Sequence, residues 1–539
     1  MTDFPNFRQP NLLFKILLVL LLAYLIPSMT CAIMRITLAL AVVLAGTVAQ
    51  AASTLFWGGT IIAFDSDNES LKVIRNGSLL VVNDRIAAIH DHSQQPYEVP
   101  ADTVKIDVTG QIITPGFIDT HRHSWQTAYK TIGSNTTLLE YFSRYGEFAA
   151  ASSYRPEDVY LGQLMGLYEA LDGGVTTLLD HAHHTWSNAT AYAGLNASVE
   201  SGARVFWSYA FHNIPSLNYT IPEQIPNFRE IAESNVLDNT TTELGIAFDF
   251  WGPDPDVAVV QQIVNLAHQY NVSVVTTHCL SGPWGNNNLP EDVQRFDMLN
   301  GTIPIVFSHA SFITAQGAEL LRSTNQYVSI TPESEMHYGH THPHSYVLQD
   351  QAALGVDTHF TYSGDILTQA RLWLQSVRYY FSWGVLQDWG LPSRNPMSVD
   401  QAFKLATRAG GLALRRPDLG VIQVGAKADV VVWNARKSLS MVGWVDPVAA
   451  VILHANAGDV LDVMVDGKFV KRHGEIVAKH YQATRARFLS SARRIQQTWR
   501  EKPYPHFEGE SADGFPYKAP TIADTSRGDG DGYGELFVN

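Results

Sequence analysis

From Thr114 onward the chain alternates two hydrophobic rhythms. Short runs of mostly apolar residues read as buried strands: GFIDTHRH, GVTTLLDHAHH, RVFWSYAFH, ELGIAFDFW, VSVVTTHCL, PIVFSHAS, YVSITPESEM and AALGVDTHF. Between most of them lie helix-period stretches, such as 156–172 and 256–270. Eight strands separated by helices predict a closed (β/α)₈ TIM-type barrel. The segments on either side read differently. TLFWGGTIIAF and SLLVVNDRIAAIHD, with a turn at Asn83-Asp84, then TVKIDVTGQII, read as strands joined by turns. The β pattern returns after residue 425 in GAKADVVVWN and DVLDVMVDGKFVKRHGEIV. β segments at both ends of a barrel predict a composite β-sandwich built from the two termini. The expected division is a leader over 1–51, a composite sandwich from 52–113 plus 425–478, a barrel over 114–424, and a basic helix and tail over 479–539.

The leader carries two apolar runs, 16–26 and 36–49, each short of the ~20 residues a comfortable membrane span needs. The second run reads as a complete signal peptide by itself, with Met34 as start, Arg35 as the positive region, and Ala49-Gln50-Ala51 as the cleavage site. On this reading residues 1–33 are an upstream extension and the product is secreted. The alternative is a membrane anchor made of both runs. Nine N-x-S/T sequons, at Asn68, Asn76, Asn135, Asn188, Asn196, Asn218, Asn239, Asn271 and Asn300, agree with export and a glycoprotein.

Composition narrows the classes. Apolar residues make up 45% and charged residues 17%, which excludes a disordered chain. The formal charge of −15 argues against a nucleic-acid binder, because phosphate contacts need a basic face. Two cysteines, Cys31 and Cys279, rule out a disulfide framework and a cysteine-rich zinc site. Histidine is the exception: 14 of 20 fall between His121 and His359, which points to metal ligation or proton transfer.

These histidines cluster at strand ends. His121 and His123 end the first barrel strand; Asp180, His181, His183 and His184 the second; His278 the fifth; His309 the sixth; Asp357 the eighth. The C-terminal ends of barrel strands open on one face, where barrel active sites sit. Residues two apart on a strand point the same way, so H-x-H aims both imidazoles at one point. Histidines with one aspartate suit Zn²⁺ or Fe²⁺. HYGHTHPH (337–344) reads as pocket lining or a solvated loop rather than a second metal site, His181, His183 and His184 as pocket walls, and Cys279 as an inert buried thiol. Trp125, Trp186, Trp251 and Trp284 follow strands 1, 2, 4 and 5 and suggest a flat, aromatic substrate.

DRIAAIHD, PGFIDTHRHSWQT, LGVDTHFTYSGD, LATRAGG, GAKADVVVW and VMVDGKFV, spread over residues 54–478, together resemble the amidohydrolase superfamily. The branch is that of cytosine deaminase, atrazine chlorohydrolase and related triazine hydrolases. The resemblance implies His121, His123, His278 and Asp357 as ligands of one divalent metal, Zn²⁺ with Fe²⁺ as the alternative. It implies His309 as the residue that polarises substrate or orients water, Asp357 as the proton acceptor, and Gln126 as a substrate contact; the composite β-sandwich is also a family feature. Two departures matter. Binuclear members carry a carboxylated lysine on the fourth strand, where ELGIAFDFWGPD has none. Deaminating members carry H-x-x-E on the fifth, where the segment is His278-Cys279-Leu280-Ser281. Serine cannot act as an acid at neutral pH, so Glu333 or Glu335 would have to replace the missing glutamate.

The expected function is hydrolysis of an amide, cyclic amide or amidine-like C–N bond in a small aromatic molecule by metal-activated water. Deamination or dechlorination of an N-heterocycle and a lyase or decarboxylase on the same scaffold are the alternatives, with a secreted binding protein behind them. Trp125, Gln126, Glu335 and His309 are the expected substrate contacts. The expected partners are a small-molecule substrate, no nucleic acid, a second copy in a homodimer, and a membrane only if the leader is retained.

Overall fold

The structure, a computed structural model, describes residues 53–91, 98–340 and 343–520. The predicted leader with Cys31, the tail from 521, and His342 of the HYGHTHPH tract lie outside the described residues.

Five strands precede the barrel: β1 (Ser53–Asp65), β2 (Ser70–Val82), β3 (Arg85–His90), β4 (Val104–Asp107) and β5 (Ile112–Pro115). Eight follow at the predicted positions: β6 (Phe117–Arg122), β7 (Val175–Ala182), β8 (Arg204–Phe211), β9 (Thr242–Phe248), β10 (Val275–Leu280), β11 (Ile305–Ser311), β12 (Tyr327–Ile330) and β13 (Ala352–Leu354). Four more close the order: β14 (Val430–Trp433), β15 (Val460–Val465), β16 (Lys468–Arg472) and β17 (Glu475–Ile476).

β6 to β13 pair in parallel in sequence order, and a bridge between Arg122 and Asp357 joins the last to the first. This is the (β/α)₈ barrel. Burial explains it: β6, β7 and β8 are buried at every position, as a sheet covered on both faces requires. Helices such as Pro156–Asp172 and Val257–Gln269 cover the outer face.

The terminal strands form one sheet in the order β17-β16-β15-β14-β5-β1-β2-β3, with β4 beside β1. β14 pairs antiparallel with β5, so residues 430–433 and 112–115 lie side by side. The sheet folds over itself. Phe56 on β1 and Phe469 on β16 are four strands apart, roughly 19 Å in a flat sheet, yet their rings lie 6.0 Å apart. Phe56, Ile61, Leu79, Ile113, Val432 and Met464 fill the space between the layers. The composite β-sandwich is therefore a single folded sheet.

Two elements differ from the sequence reading. β2 starts at Ser70, so SLKVIRNG extends its hairpin with β1; alternation of exposed and half-buried residues there obscured the strand. β12 ends at Ile330, and PESEM belongs to the helix Pro332–Tyr338, because Pro332 sits at the first helical turn where its missing N–H costs nothing.

Candidate metal centre and active-site cavity

The C-terminal ends of the strands gather the predicted cluster. One oxygen of Asp357, Oδ1, lies 3.4 Å from His121 Nε2 and 3.1 Å from His123 Nε2. Nε2 of His278 lies 3.3 Å from Nε2 of His123. His121, His278, His309 and Asp357 each offer a ligand atom within 4.8 Å of one another. The strand ends bend to achieve this: His309, Ala310 and Asp357 have φ of 72°, 52° and 66°, unusual values for residues with a Cβ and a mark of strain held by the surroundings.

Each imidazole is anchored through its other nitrogen. His123 Nδ1–H donates to the His181 carbonyl at 3.0 Å. His278 Nδ1–H donates to Asp249 Oδ2 at 2.8 Å. His121 Nδ1 lies 2.8 Å from Ser308 Oγ. His309 Nδ1 lies 2.8 Å from Thr331 Oγ1, whose hydroxyl reaches Glu335 Oε1 at 3.4 Å. With that hydroxyl donating to Glu335, His309 donates from Nδ1 and leaves Nε2 as a lone pair. Such outer partners fix tautomer and ring orientation in metal sites. Ser334 Oγ donates to Asp357 Oδ2 at 2.6 Å, leaving Oδ1 toward the imidazoles.

The residues fit a divalent cation. His121 Nε2 is buried with no hydrogen-bond partner. The His123 and His278 Nε2 atoms face each other at 3.3 Å, beside Asp357 Oδ1, so that both can turn toward one ion. Burial raises the Asp357 carboxyl, but the adjacent His121, His123 and His309 rings outweigh it, so the group stays well below the usual carboxylate range. Burial pushes His121 well below the ordinary imidazole value and His309 down to about 3, so both rings are neutral, as ligation requires.

Asp249, one residue beyond β9, was not picked out by the sequence reading, although it stands at the strand-4 position inspected for lysine. It accepts from the backbone N–H and Nδ1 of His278 and from Thr277 Oγ1, and lies 3.4 Å from His181 Nε2. Burial raises it, but His278 and His181 more than compensate and hold it well below the usual range. In turn Asp249 outweighs burial at His278 and raises its pKa.

A cavity of about 430 Å³ opens over the cluster, bounded by His123, His181, His278, His309 and Asp357. Tyr141, Phe142, Phe148, Phe250, Trp284 and Tyr338 supply its aromatic wall, and no Lys or Arg lines it among the described residues. Glu147 and Asp513 are its outer carboxyls. Burial raises the pKa of Glu147, which lies within electrostatic reach of His278 and His123. A larger open cleft of about 890 Å³, lined by Lys130, Glu169 and Tyr481, contains none of the cluster.

Several expected contacts sit elsewhere. Trp125 is fully buried and donates from Nε1 to His183 Nδ1, so it supports the His183 ring that stacks on His123 at 3.9 Å. Trp186 and Trp251 are buried too, which leaves Trp284 alone of the four tryptophans on the cavity. Gln126 donates to Tyr141 Oη and the Tyr145 carbonyl, holding the loop that carries the aromatic wall. Glu335 is buried behind His309, accepting from the Thr331 N–H at 2.9 Å. Glu333 accepts from Gln369 at 3.0 Å and from Ser363. Neither glutamate lines the cavity. Ser281 Oγ is buried without a hydrogen-bond partner. Glu147, Phe142 and Phe148 lie in the long connection after β6, where no periodicity announced them.

A parallel barrel with an imidazole–carboxylate cluster at the C-terminal ends of its strands defines the class: a metal-dependent hydrolase. The amidohydrolase family model matches residues 112–470, and the chain belongs to that family, whose enzymes act on carbon–nitrogen bonds other than peptide bonds. A 5-methylthioadenosine/S-adenosylhomocysteine deaminase of Syntrophus aciditrophicus is 22% identical over 484 residues, covering 83% of this chain and 98% of its own. The fold is similar to a zinc-bound adenosine deaminase from Xanthomonas campestris, with a TM-score of 0.71, 18% identity, and 83% and 99% of the two chains covered. It is also similar to atrazine chlorohydrolase from Arthrobacter aurescens TC1 complexed with zinc, with a TM-score of 0.67, 17% identity, and 81% and 100% covered.

Proposed function

We propose that this enzyme hydrolyses an amide or cyclic-amide C–N bond in a small, flat molecule that is neutral or positively charged. The carrying observation is the cavity: it joins the imidazole–carboxylate cluster to an aromatic wall and offers carboxyls but no cation for an anionic group. Its volume suits a small ligand.

His121, His123, His278 and Asp357 would hold the metal, with His309 turned toward it by the same tautomer; Zn²⁺ is our reading and Fe²⁺ the alternative. A bound ion would supply Lewis-acid activation of a water. Asp357 is ionised at neutral pH and one of its oxygens is free of Ser334, so that oxygen can hold a proton and pass it to a basic amine leaving group. Ser281 cannot protonate a ring nitrogen, which is why an amide is placed first.

Deamination of an N-heterocycle is the second reading. The deaminases among the relatives favour it, and burial raises the Glu147 carboxyl on the cavity wall whereas Asp249 and Asp357 are held low by the histidines beside them. A side-by-side assay tests the two. Faster hydrolysis of aryl amides or lactams supports the first; faster ammonia release from nucleosides or nucleobases overturns it in favour of the second.

We also propose that the enzyme is secreted and glycosylated. All nine sequon asparagines are exposed, which supports this reading. Protein from a eukaryotic host should begin near Ala52 and lose mass on deglycosylation; an unmodified chain beginning at Met1 in the cytosol would overturn it.

A further inference from the structure

The helix Tyr481–Glu501 and the segment after it lie beyond residue 470, where the family match ends, yet they reach the active-site face. Arg144 ties them down. Its buried side chain donates to the carbonyls of Trp499 at 2.8 Å, of Lys502 at 2.9 Å and of Pro503. Its guanidinium carbon lies 4.0 Å from the centre of the Tyr504 ring. Arg144 also ends the helix Leu138–Arg144, which carries Tyr141 and Phe142 of the cavity wall. One side chain thus holds the tail against the connection that shapes the cavity.

The tail then turns back on itself. The Ser511 N–H donates to the Phe515 carbonyl at 2.8 Å, and the Tyr517 N–H to the Gly509 carbonyl at 3.0 Å. The Phe507 and Tyr517 rings meet at 5.4 Å across the base of this hairpin. Its tip, Ala512-Asp513-Gly514, brings the Asp513 carboxyl to the cavity beside Trp284 and Gly285. A Cβ on Gly285 would lie 2.7 Å from Asp513 Oδ2, so the missing side chain makes room for that oxygen.

Asp513 completes a rim of one electrostatic sign. Phe142, Phe148 and Phe250 are 46%, 47% and 45% exposed there, and the faces of such rings attract cations. Glu147 adds a second carboxyl, and no lysine or arginine lines the cavity among the described residues. A neutral ligand covering these carboxyls would strip water from them without replacing it. An anion would meet like charge, and a chain of net charge −15 steers cations toward itself.

We infer that Asp513 determines specificity: it selects substrates that carry an ammonium group, quaternary or protonated, at the end remote from the scissile bond, held between its carboxylate and the aromatic rim. The inference rests on the reading of this cavity as the substrate site, and not on which C–N bond is cleaved.

Two anilides test it, one with a trimethylammonium and one with a tert-butyl group on the ring, alike in shape and different in charge. With the purified full chain, kcat/KM should favour the cation about tenfold at low salt, and less in molar salt, which screens exposed charges. Asp513→Asn should cut that preference about threefold to fivefold, the size of an exposed charge pair, through KM. Asp513→Lys should cut it further. An equal loss on both anilides would show a hairpin that only shapes the rim, and overturns the assignment; so does a wild-type enzyme without preference. Calorimetry with phenyltrimethylammonium ion reads the same site without turnover. The ion should bind wild type, and Asp513→Asn more weakly, even where neither anilide is hydrolysed; that outcome removes the amide reading alone. No binding to wild type removes this inference.

Discussion

The two ends of the barrel handle buried charge in opposite ways. At the C-terminal end, imidazoles surround two ionised carboxylates, and His121 Nε2, His181 Nδ1 and Ser281 Oγ are buried without hydrogen-bond partners. At the other end, Arg204 opens β8 and meets Asp429 with two bonds of 3.1 and 3.2 Å and Asp466 at 3.0 Å. Lys427 adds bonds to Asp84 and Asp466 at 2.6 and 2.7 Å. Here each cation has two carboxylates, and the cluster clamps the terminal sheet to the barrel. A buried polar group without a partner is costly. The imidazole nitrogens left without partners beside the two carboxylates mark the place where a ligand, not the fold, completes the bonding.

The contrast predicts that substitutions at the first end lower activity more than stability, and that the second end behaves in reverse. The largest effect is expected for His121→Ala and Asp357→Ala. Each should reduce kcat/KM by at least about 10³-fold, roughly 4 kcal/mol. Metal content, read by elemental analysis, should fall more for the histidine. Full turnover in either variant would remove the site.

Asp429→Ala is next. Arg204 is nearly inaccessible, with 4% of its side chain exposed, and would keep only Asp466. Breaking a buried pair costs about 3–5 kcal/mol. Denaturant titration should show that loss, while kcat of the folded fraction is unchanged.

Glu147→Gln refines the chemistry. If Glu147 protonates a leaving group or ring nitrogen, the variant should lose about 10²-fold on poor leaving groups and much less on activated esters. An equal loss on both would assign Glu147 to binding instead. Asp249→Asn should cost about 10–100-fold in activity or metal affinity, because it holds His278 from behind; an unchanged metal titration would contradict that role.

The smallest effect is a pH dependence at the clamp. The Asp84 carboxyl is lowered by its hydrogen bond from Lys427; at Asp466, burial raises the carboxyl but Lys427 and Arg204 outweigh it. A lowered folded pKa contributes stability that is complete above the unfolded value of about 4 and is lost as pH falls through the folded one. Asp466→Asn should therefore be destabilising at pH 7, with the difference from wild type shrinking as pH falls below about 4. A difference that persists unchanged to pH 2 would show that the carboxylate's charge is not what matters.

The sequence by itself determined the barrel and the cluster. Eight buried apolar runs at spacings that admit one helix each leave little choice but a closed parallel sheet. Residues at strand ends inherit their place from the strand, so His121, His123, His278, His309 and Asp357 were legible before any coordinates. Tertiary structure decided what surrounds them. Whether Trp125 faces substrate or core, or Glu335 faces the cavity or the back of His309, depends on how a connection folds after its strand, and no period runs through connections. Asp249 became visible as the anchor of His278 only when β9 and β10 lay side by side. Glu147 and Phe148 reach the cavity through a connection whose local sequence carries no sign of its destination. Strand pairing is local and repetitive, so a pattern encodes it; contacts between separate connections arise once the barrel has closed and brought them together.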